Sequence, residues 1–354
     1  MDKQNNTRRR FPISLSIGVV LLIVVAGIAA LSYFYFSSKA AILEEATDRA
    51  EQTLDNTVLR VENILDEVVT AEKNMKWLVL RHLDSPDHMF TYSKEILKNN
   101  PNALGCSIAF EPYFFSKTEK WFSAYSYNEG DTILTEQEGT ERYDYYEQEW
   151  YKKPKQLGKA YWIDPFREID TGGIEVPDII TSYCSPMYDK RNKFIGVFSI
   201  DISLEWLSKQ ISAMKPYPNS YSVMIDTSGR FIVHPDSTRI FYETIFDDSG
   251  IDLNTRLKLG RAMIAGDSGY ATYKKSGETV YTFYKPLGNT GWSVAIVCPE
   301  SDVFYGYNQI SSQVFIATGV GLILLFCFCW YIIRSRRQTP NATELIITQK
   351  PDIL

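Results

Sequence analysis

Two apolar segments near the ends of the chain constrain its fold more than any other sequence feature. Residues from about Ile13 to Phe36 and from about Val314 to Ile333 carry almost no charged side chains. Each approaches the ~20 residues that an α-helix needs to cross a bilayer. A signal peptide is the alternative for the first segment, but its apolar core exceeds the usual length of about 7–15 residues. We therefore predict two transmembrane helices.

Basic residues beside these segments predict the orientation of the chain. An arginine run, Arg8 to Arg10, precedes the first segment, and Arg334, Arg336 and Arg337 follow the second. Positively charged flanks stay on the cytoplasmic side of a membrane. Residues 37–313 are accordingly predicted to lie outside the cytoplasm.

The composition of the chain argues against several functional classes. Its net charge is −6 and no basic cluster lies on one folded segment, which argues against nucleic-acid binding. The outer region holds three cysteines in apolar runs, Cys106, Cys184 and Cys298, and we predict buried free thiols. The three histidines lack metal-ligand spacing. We predict no metal, cofactor or catalytic residue, and a hydrolase using His234 is the disfavoured alternative.

A long amphipathic helix is predicted directly after the first span. From Ser38 to His82, apolar residues recur at steps of three and four, and no glycine interrupts them. Such a helix is suited to connect an outer domain to the membrane. We also expect it to support a homodimer through helix-to-helix packing.

The segment from Trp150 to Asp201 organises the outer region. Apolar and polar residues alternate in 179–187 and again in 194–202, on both sides of a short polar turn, which predicts a β-hairpin. We expect one face of this hairpin to carry Thr181, Tyr183 and Asp201 as a wall of a small-molecule pocket. Burial of Asp201 is costly without a partner. That partner is either a cationic or hydroxyl-bearing ligand, or a structural hydrogen bond.

Aromatic residues are concentrated in two nearby segments. Residues 121–127 predict a strand that contains Tyr125, and residues 142–151 carry five rings between polar residues. Some of these rings are therefore expected to line a cavity. Prolines at 216 and 218 mark a boundary, after which a smaller set of meander strands and one helix follows. The predicted fold class is α+β, with two similar units in tandem and antiparallel sheets.

Several short motifs occur in this order: Phe110-Glu111-Pro112-Tyr113, Tyr143-Asp144-Tyr145, Trp150-Tyr151, Trp162-Ile163-Asp164-Pro165-Phe166, Thr181-Ser182-Tyr183-Cys184-Ser185-Pro186, Gly196-Val197-Phe198-Ser199-Ile200-Asp201-Ile202-Ser203, His234-Pro235-Asp236 and Gly291-Trp292-Ser293. Together they resemble the double Cache (dCache) family of bacterial extracytoplasmic sensor domains, over most of residues 40–305. The resemblance is closest to receptors with cytoplasmic serine phosphatases, histidine kinases or chemoreceptor rods.

The resemblance implies two PAS-like Cache units on one long N-terminal helix, flanked by two transmembrane helices in the bacterial cytoplasmic membrane. The main domain is then periplasmic. The implied layout is a cytoplasmic N-terminus at 1–12, transmembrane helices at 13–36 and 314–333, a stalk helix at 37–84, a membrane-distal unit with the pocket at 85–215, a membrane-proximal unit at 216–305 and a cytoplasmic tail at 334–354.

The resemblance also implies a ligand site in the distal unit. Trp150 and Tyr151 match the family's aromatic pair and Asp201 matches one of its two aspartates, whereas Glu168 stands at the other and Phe166 at a tyrosine position. Gln148 stands at the arginine position and cannot grip a carboxylate bidentately. This argues against an α-amino acid unless Arg142 or Arg167 substitutes. The predicted set is Tyr125, Tyr143, Gln148, Trp150, Tyr151, Trp162, Asp164, Phe166, Glu168, Thr181, Tyr183 and Asp201.

The resulting functional hypothesis is a non-enzymatic, membrane-anchored sensor. It would bind a small amino-acid-like molecule or another metabolite in the distal unit and signal across the membrane. The alternative is a sensor half without its own output domain, which acts only through a separate cytoplasmic or membrane partner.

Overall fold

The computed structural model describes residues 13–169, 173–288 and 290–337. The predicted N-terminal segment 1–12 and residues 338–354 of the predicted tail lie outside them. The described residues form two compact units. One comprises residues 44–303, and the other comprises the described residues up to Leu43 and from Phe304 onwards.

Two helices are long and apolar enough to cross a membrane. Helix α1 (Ile13–Val79) joins the predicted first span and the predicted stalk in one element, and helix α7 (Tyr305–Arg337) contains the second. Each has a window of mean hydropathy 2.2. In the compact unit that contains both apolar segments, the Tyr307 hydroxyl donates to the carbonyl oxygen of Tyr35 at 2.7 Å. These features fit a two-pass membrane protein.

Residues 44–303 contain two lobes, each with its own sheet. The first lobe, from α2 to α4, is built around a seven-stranded antiparallel sheet, with the strand order β3-β2-β1-β7-β6-β4 and β5 paired to β6. The alternating hairpin predicted from the sequence forms its long strands β6 and β7. The elements of the first lobe are α2 (Asp87–Asn99), β1 (Gly105–Phe110), β2 (Ser123–Glu129), β3 (Thr132–Glu138), α3 (Glu149–Leu157), β4 (Tyr161–Trp162), β5 (Phe166–Ile169), β6 (Glu175–Tyr188), β7 (Phe194–Ser203) and α4 (Leu204–Ser212).

The second lobe is a five-stranded antiparallel sheet of order β10-β11-β12-β8-β9. Helix α5 packs on it over a core that includes Leu259, Met263 and Phe231. Its elements are β8 (Tyr221–Ile225), β9 (Phe231–Val233), α5 (Leu253–Ile264), β10 (Gly269–Lys275), β11 (Glu278–Leu287), β12 (Trp292–Pro299) and the short α6 (Glu300–Val303). The predicted α+β class with two antiparallel units on a long N-terminal helix is confirmed.

Two strands of the first lobe have no clear sequence signal. Strand β3 reads TILTEQE and is mostly exposed, and β5 has only four half-buried residues. Both lie towards the margins of the sheet, where few apolar residues are needed. The prediction of buried free thiols is confirmed for Cys106, Cys184 and Cys298.

Candidate functional site

A small polar cavity lies against one face of the first sheet. Its volume is about 20 Å³, which is room for about one water molecule. Strands β1, β2, β3, β6 and β7 supply one wall, and β5 with the segment before and within α3 supplies the other. The described residues that line it are Ser107, Tyr125, Glu138, Tyr143, Trp150, Phe166, Glu168, Ile169, Ile180, Ser182, Ser199 and Asp201.

The strand register explains why these residues share one face. Ser182 lies opposite Asp201, and Ser107 lies opposite Ser199. Directly opposite residues of antiparallel strands point to the same side of a sheet. Gly105 also lies opposite Asp201, and a Cβ there would stand 2.6 Å from Oδ2 of Asp201. The absence of a side chain at Gly105 therefore leaves space for the Asp201 carboxylate.

Three carboxyl groups face the cavity, and neutral hydroxyl groups hold each of them. The Ser182 hydroxyl donates to Oδ1 of Asp201 at 2.6 Å, and Ser107 and Ser123 donate to Oε2 of Glu138 at 3.2 and 3.0 Å. The Tyr125 hydroxyl donates to Oε1 of Glu168. Only 6% of Asp201 and 6% of Glu138 is exposed to solvent.

Burial raises the pKa of all three carboxyl groups. It raises the pKa of Asp201 from 3.8 to about 7, with the nearby Glu168 adding to the rise. Burial likewise raises the pKa of Glu138 from 4.5 to about 8, and it raises the pKa of Glu168. Desolvation disfavours the charged form of an acid. The cavity thus presents acids that hold their protons close to neutral pH.

No lysine, arginine or histidine is among the described residues that line the cavity. Arg142 is exposed. Arg167 points out of the lobe, where its guanidinium contacts the Tyr242 hydroxyl and lies 3.8 Å from Glu175. Neither arginine lines the cavity, so neither stands where it could substitute for the arginine that the family has at the position of Gln148.

Six residues of the predicted set line the cavity: Tyr125, Tyr143, Trp150, Phe166, Glu168 and Asp201. Tyr143 and Trp150 bond to each other, with Nε1 of Trp150 donating to the Tyr143 hydroxyl at 3.2 Å. Whether these residues bind a ligand stays a prediction. The structure shows only that these six side chains line the same cavity.

The prediction that Thr181 and Tyr183 share a face with Asp201 is wrong. Asp201 lies opposite Ser182, so the two neighbours of Ser182 point to the other side of the sheet. The Thr181 hydroxyl donates to the carbonyl oxygen of Ile163 at 2.6 Å, and Tyr183 lies in a groove beside Leu65 of α1. The alternating pattern predicted the hairpin correctly, but it did not predict the register, which decides which residues of the two strands lie opposite each other.

Gln148 and Tyr151 also lie outside the cavity. Gln148 is the residue immediately before α3 and is half-buried. The ring of Tyr151 packs in the aromatic core of the lobe, and its hydroxyl donates to Oε1 of Glu111 at 2.8 Å.

Trp162 and Asp164 instead lie where the two lobes meet. Nε1 of Trp292 donates to Oδ1 of Asp164 at 3.0 Å, and the Thr227 hydroxyl donates to Oδ2 of Asp164. The rings of Trp162 and Trp292 stand 6.2 Å apart. In addition, Nη2 of Arg230 donates to the carbonyl oxygen of Pro165 at 3.1 Å. The Trp-Ile-Asp-Pro turn therefore joins the first lobe to the second.

Sequence reasoning missed six lining residues: Ser107, Glu138, Ile169, Ile180, Ser182 and Ser199. Ser182 and Ser199 share the period-two pattern of Asp201, and a correct register would have revealed both. Glu138 had no such signal, because it lies at the end of a strand that the sequence did not predict.

Comparisons with known proteins agree with this architecture. The methyl-accepting chemotaxis protein McpC of Bacillus subtilis is 21% identical over 211 residues, which cover 59% of this chain but 28% of McpC. An extracellular domain assigned to the histidine kinase mmHK1S-Z3 has a TM-score of 0.62 at 20% identity, covering 76% of this chain and 98% of that domain.

The ligand-binding domain of the Pseudomonas aeruginosa PAO1 amino acid chemoreceptor PctB, in complex with L-Arg, has a TM-score of 0.54 at 18% identity. The alignment covers 73% of this chain and 97% of the PctB domain. At these identities the similarity to solved structures concerns the fold alone. The family model described as Cache domain, in its double form, matches residues 38–307. The chain therefore belongs to the dCache family of sensor domains.

Proposed function

We propose that this protein is a two-pass sensor in a bacterial cytoplasmic membrane, whose periplasmic region binds a small organic ligand in the first lobe. The family assignment supports an extracytoplasmic sensor, and two apolar helices are available as membrane anchors. The small polar cavity of the first lobe is the candidate ligand site. PctB, which binds L-Arg in its solved complex, is an example of such a domain with a small ligand.

The main support for this proposal is strand β5, because one of its sides lines the candidate ligand site and the other contacts the second lobe. Phe166 and Glu168 face the cavity, whereas Arg167 between them reaches Tyr242 of the second lobe. The turn just before β5 holds the second lobe through Asp164 and Pro165. A displacement of β5 would therefore change the cavity and the contact between the lobes together.

β5 is also the shortest strand that lines the cavity, with four residues. Among the described strands it pairs with β6 alone, and the register between the two strands shifts between Arg167 and Ile169. The present cavity of about 20 Å³ is too small for a metabolite. Ligand entry therefore requires an expanded state, and a ligand that binds only that state shifts the population towards it.

A thermal-shift screen tests the proposal on the full chain in lipid nanodiscs. A ligand at 100 times its Kd adds about 2.7 kcal/mol of stability, which raises the Tm of a domain of this size by roughly 5–10 °C. Changing Ser199→Val in the cavity should abolish the shift. Changing Ser222→Val, a buried serine of the second lobe, should preserve it. A broad metabolite library that gives no shift would contradict the proposal.

We also propose that the receptor acts as a homodimer and passes its signal to a cytoplasmic or membrane partner. Leu59 and Trp77 of α1 are 56% and 59% exposed. They are 18 residues apart, which is five turns, and so share one stripe of the helix. A second copy of the helix would cover this stripe. The signalling partner is proposed by analogy with relatives such as McpC, because the match covers only 28% of McpC.

Cysteine cross-linking in membranes tests the dimer. In a background with Cys327→Ser and Cys329→Ser, Trp77→Cys is expected to form a disulfide-linked dimer. Arg60→Cys is the control, because it is exposed but lies about 100° from Leu59 around the helix. Equal cross-linking at positions 60 and 77 would indicate random collision and contradict a helix-to-helix dimer.

A further inference from the structure

We propose that the first-lobe cavity recognises a small organic dication without a carboxylate, of the aliphatic diamine class. This inference rests on the proposed sensor function and names the ligand chemistry of the same site. Its basis is the balance of charge and hydrogen bonding around the cavity.

The charge balance of the cavity is one-sided. Asp201, Glu138 and Glu168 all line it, and no basic residue does so among the described residues. The donors that reach them are hydroxyl groups of serine and tyrosine. An ionised acid that leaves water is stabilised only when it is paired. Without a cation, burial keeps these acids protonated close to neutral pH. A ligand with more than one positive charge would allow them to ionise, because each ammonium group would pair with a carboxylate.

Hydrogen-bonding capacity is also left over inside the cavity. Ser199 is 2% exposed and lines the cavity, so its hydroxyl is placed to bond a ligand there. Asp201 and Glu138 each have a second carboxyl oxygen besides the one that the serine hydroxyls contact. Buried polar groups are rarely left without partners in native proteins. Ammonium groups carry three donors each and would complete these acceptors.

The remaining lining suits the body of such a ligand. Trp150, Tyr143 and Phe166 offer ring faces, which attract cations and also pack against methylene groups. The three carboxyl groups are not grouped closely enough to hold one metal ion, since the described residues contain no such cluster. Acids spread around a cavity match separated positive charges on a short chain better than a single point charge.

A ligand carboxylate would be disfavoured in this cavity. It would meet no arginine among the described lining residues, and any of the three acids that ionised would repel it. Gln148, at the position where the family places an arginine, does not line the cavity. The ammonium group of an α-amino acid would thus favour binding in the cavity, whereas its carboxylate would oppose binding.

Isothermal titration calorimetry on the full chain in nanodiscs at pH 8 tests this inference. The probes are 1,4-diaminobutane, 1-aminobutane and 4-aminobutanoate, which share a four-carbon chain and differ in charge. We expect 1,4-diaminobutane to bind at least tenfold more tightly than either of the others. Asp201→Asn and Glu138→Gln should each weaken its binding at least tenfold, whereas Glu129→Gln, an exposed carboxyl change on the same sheet, should not.

The outcomes separate the ligand class from the sensor function. If a neutral or anionic metabolite from the thermal-shift screen binds and diamines do not, the diamine inference is overturned and the sensor proposal stands. Equal diamine binding by wild type and both cavity variants would place the ligand elsewhere and also overturn the inference. Melting curves of the variants without ligand establish that they are folded. If no probe and no library compound binds, both proposals fail.

Discussion

Raising the pH from 5 to 8 is expected to destabilise the ligand-free protein, and Asp201→Asn or Glu138→Gln is expected to remove much of that loss. The reason is that the native state holds protons that the unfolded state has already released. Burial raises the pKa of Asp201 to about 7 and that of Glu138 to about 8. In the unfolded chain both acids ionise near pH 4.

The sign follows from proton linkage. Between about pH 4 and pH 7–8 the native protein binds more protons than the unfolded chain, so stability falls as pH rises. The contribution is present in full below about pH 4 and is lost by about pH 8. Each such proton changes the free energy of unfolding by ~1.4 kcal/mol per pH unit. The two acids together are expected to cost roughly 6 kcal/mol between pH 5 and pH 8.

Urea denaturation at pH 5, 6, 7 and 8 measures this effect. Each single cavity variant should flatten the slope of unfolding free energy against pH, and the double variant should flatten it further. Glu129→Gln removes an exposed carboxyl group from the same sheet and should keep the wild-type slope. A wild-type protein that is as stable at pH 8 as at pH 5 would show that the acids are ionised in the native state.

Trp292→Ala is expected to reduce the free energy of unfolding by about 3–5 kcal/mol, as is typical of a buried tryptophan. Trp292 is completely buried at the start of β12. It also bonds Asp164 through its indole nitrogen and lies beside Trp162. Its loss therefore leaves a cavity and removes a contact between the lobes. We expect residues 44–303 to melt in one calorimetric transition in the wild-type protein and in two transitions in the variant.

Two matched variants divide the packing effect from the hydrogen bond. Trp292→Phe keeps most of the apolar side chain but removes the donor to Asp164, and we expect a loss of about 1–2 kcal/mol. Trp206→Phe, a half-buried change in α4, should leave one transition. If Trp292→Ala unfolds in one step with an unchanged Tm, the Trp292–Asp164 contact does not couple the lobes.

These two experiments concern opposite ends of one short segment. Asp164 binds the second lobe, and Glu168, four residues later, faces the cavity acids. A ligand that pairs with the acids should therefore alter both the pH slope and the joint melting of the lobes. A receptor that signals by another route would show a changed pH slope with unchanged coupling.

Patterns that depend on neighbouring residues determined much of this protein from its sequence. The apolar segments predicted α1 and α7, and period-two alternation predicted β6 and β7, because both signals repeat within a few residues. The motif order predicted the family. The aromatic and acidic character of the site was also readable, since Trp150, Tyr143 and Asp201 do line the cavity.

Tertiary structure alone decided which side chains meet. Strand register placed Ser182 rather than Tyr183 beside Asp201, because a shift of one residue exchanges the two faces of a strand. It also brought Glu138 from an edge strand to the cavity, and it assigned Asp164 to the contact with Trp292. These pairings join residues 15 to 128 positions apart. Local patterns do not encode such contacts, because packing of the whole lobe selects them.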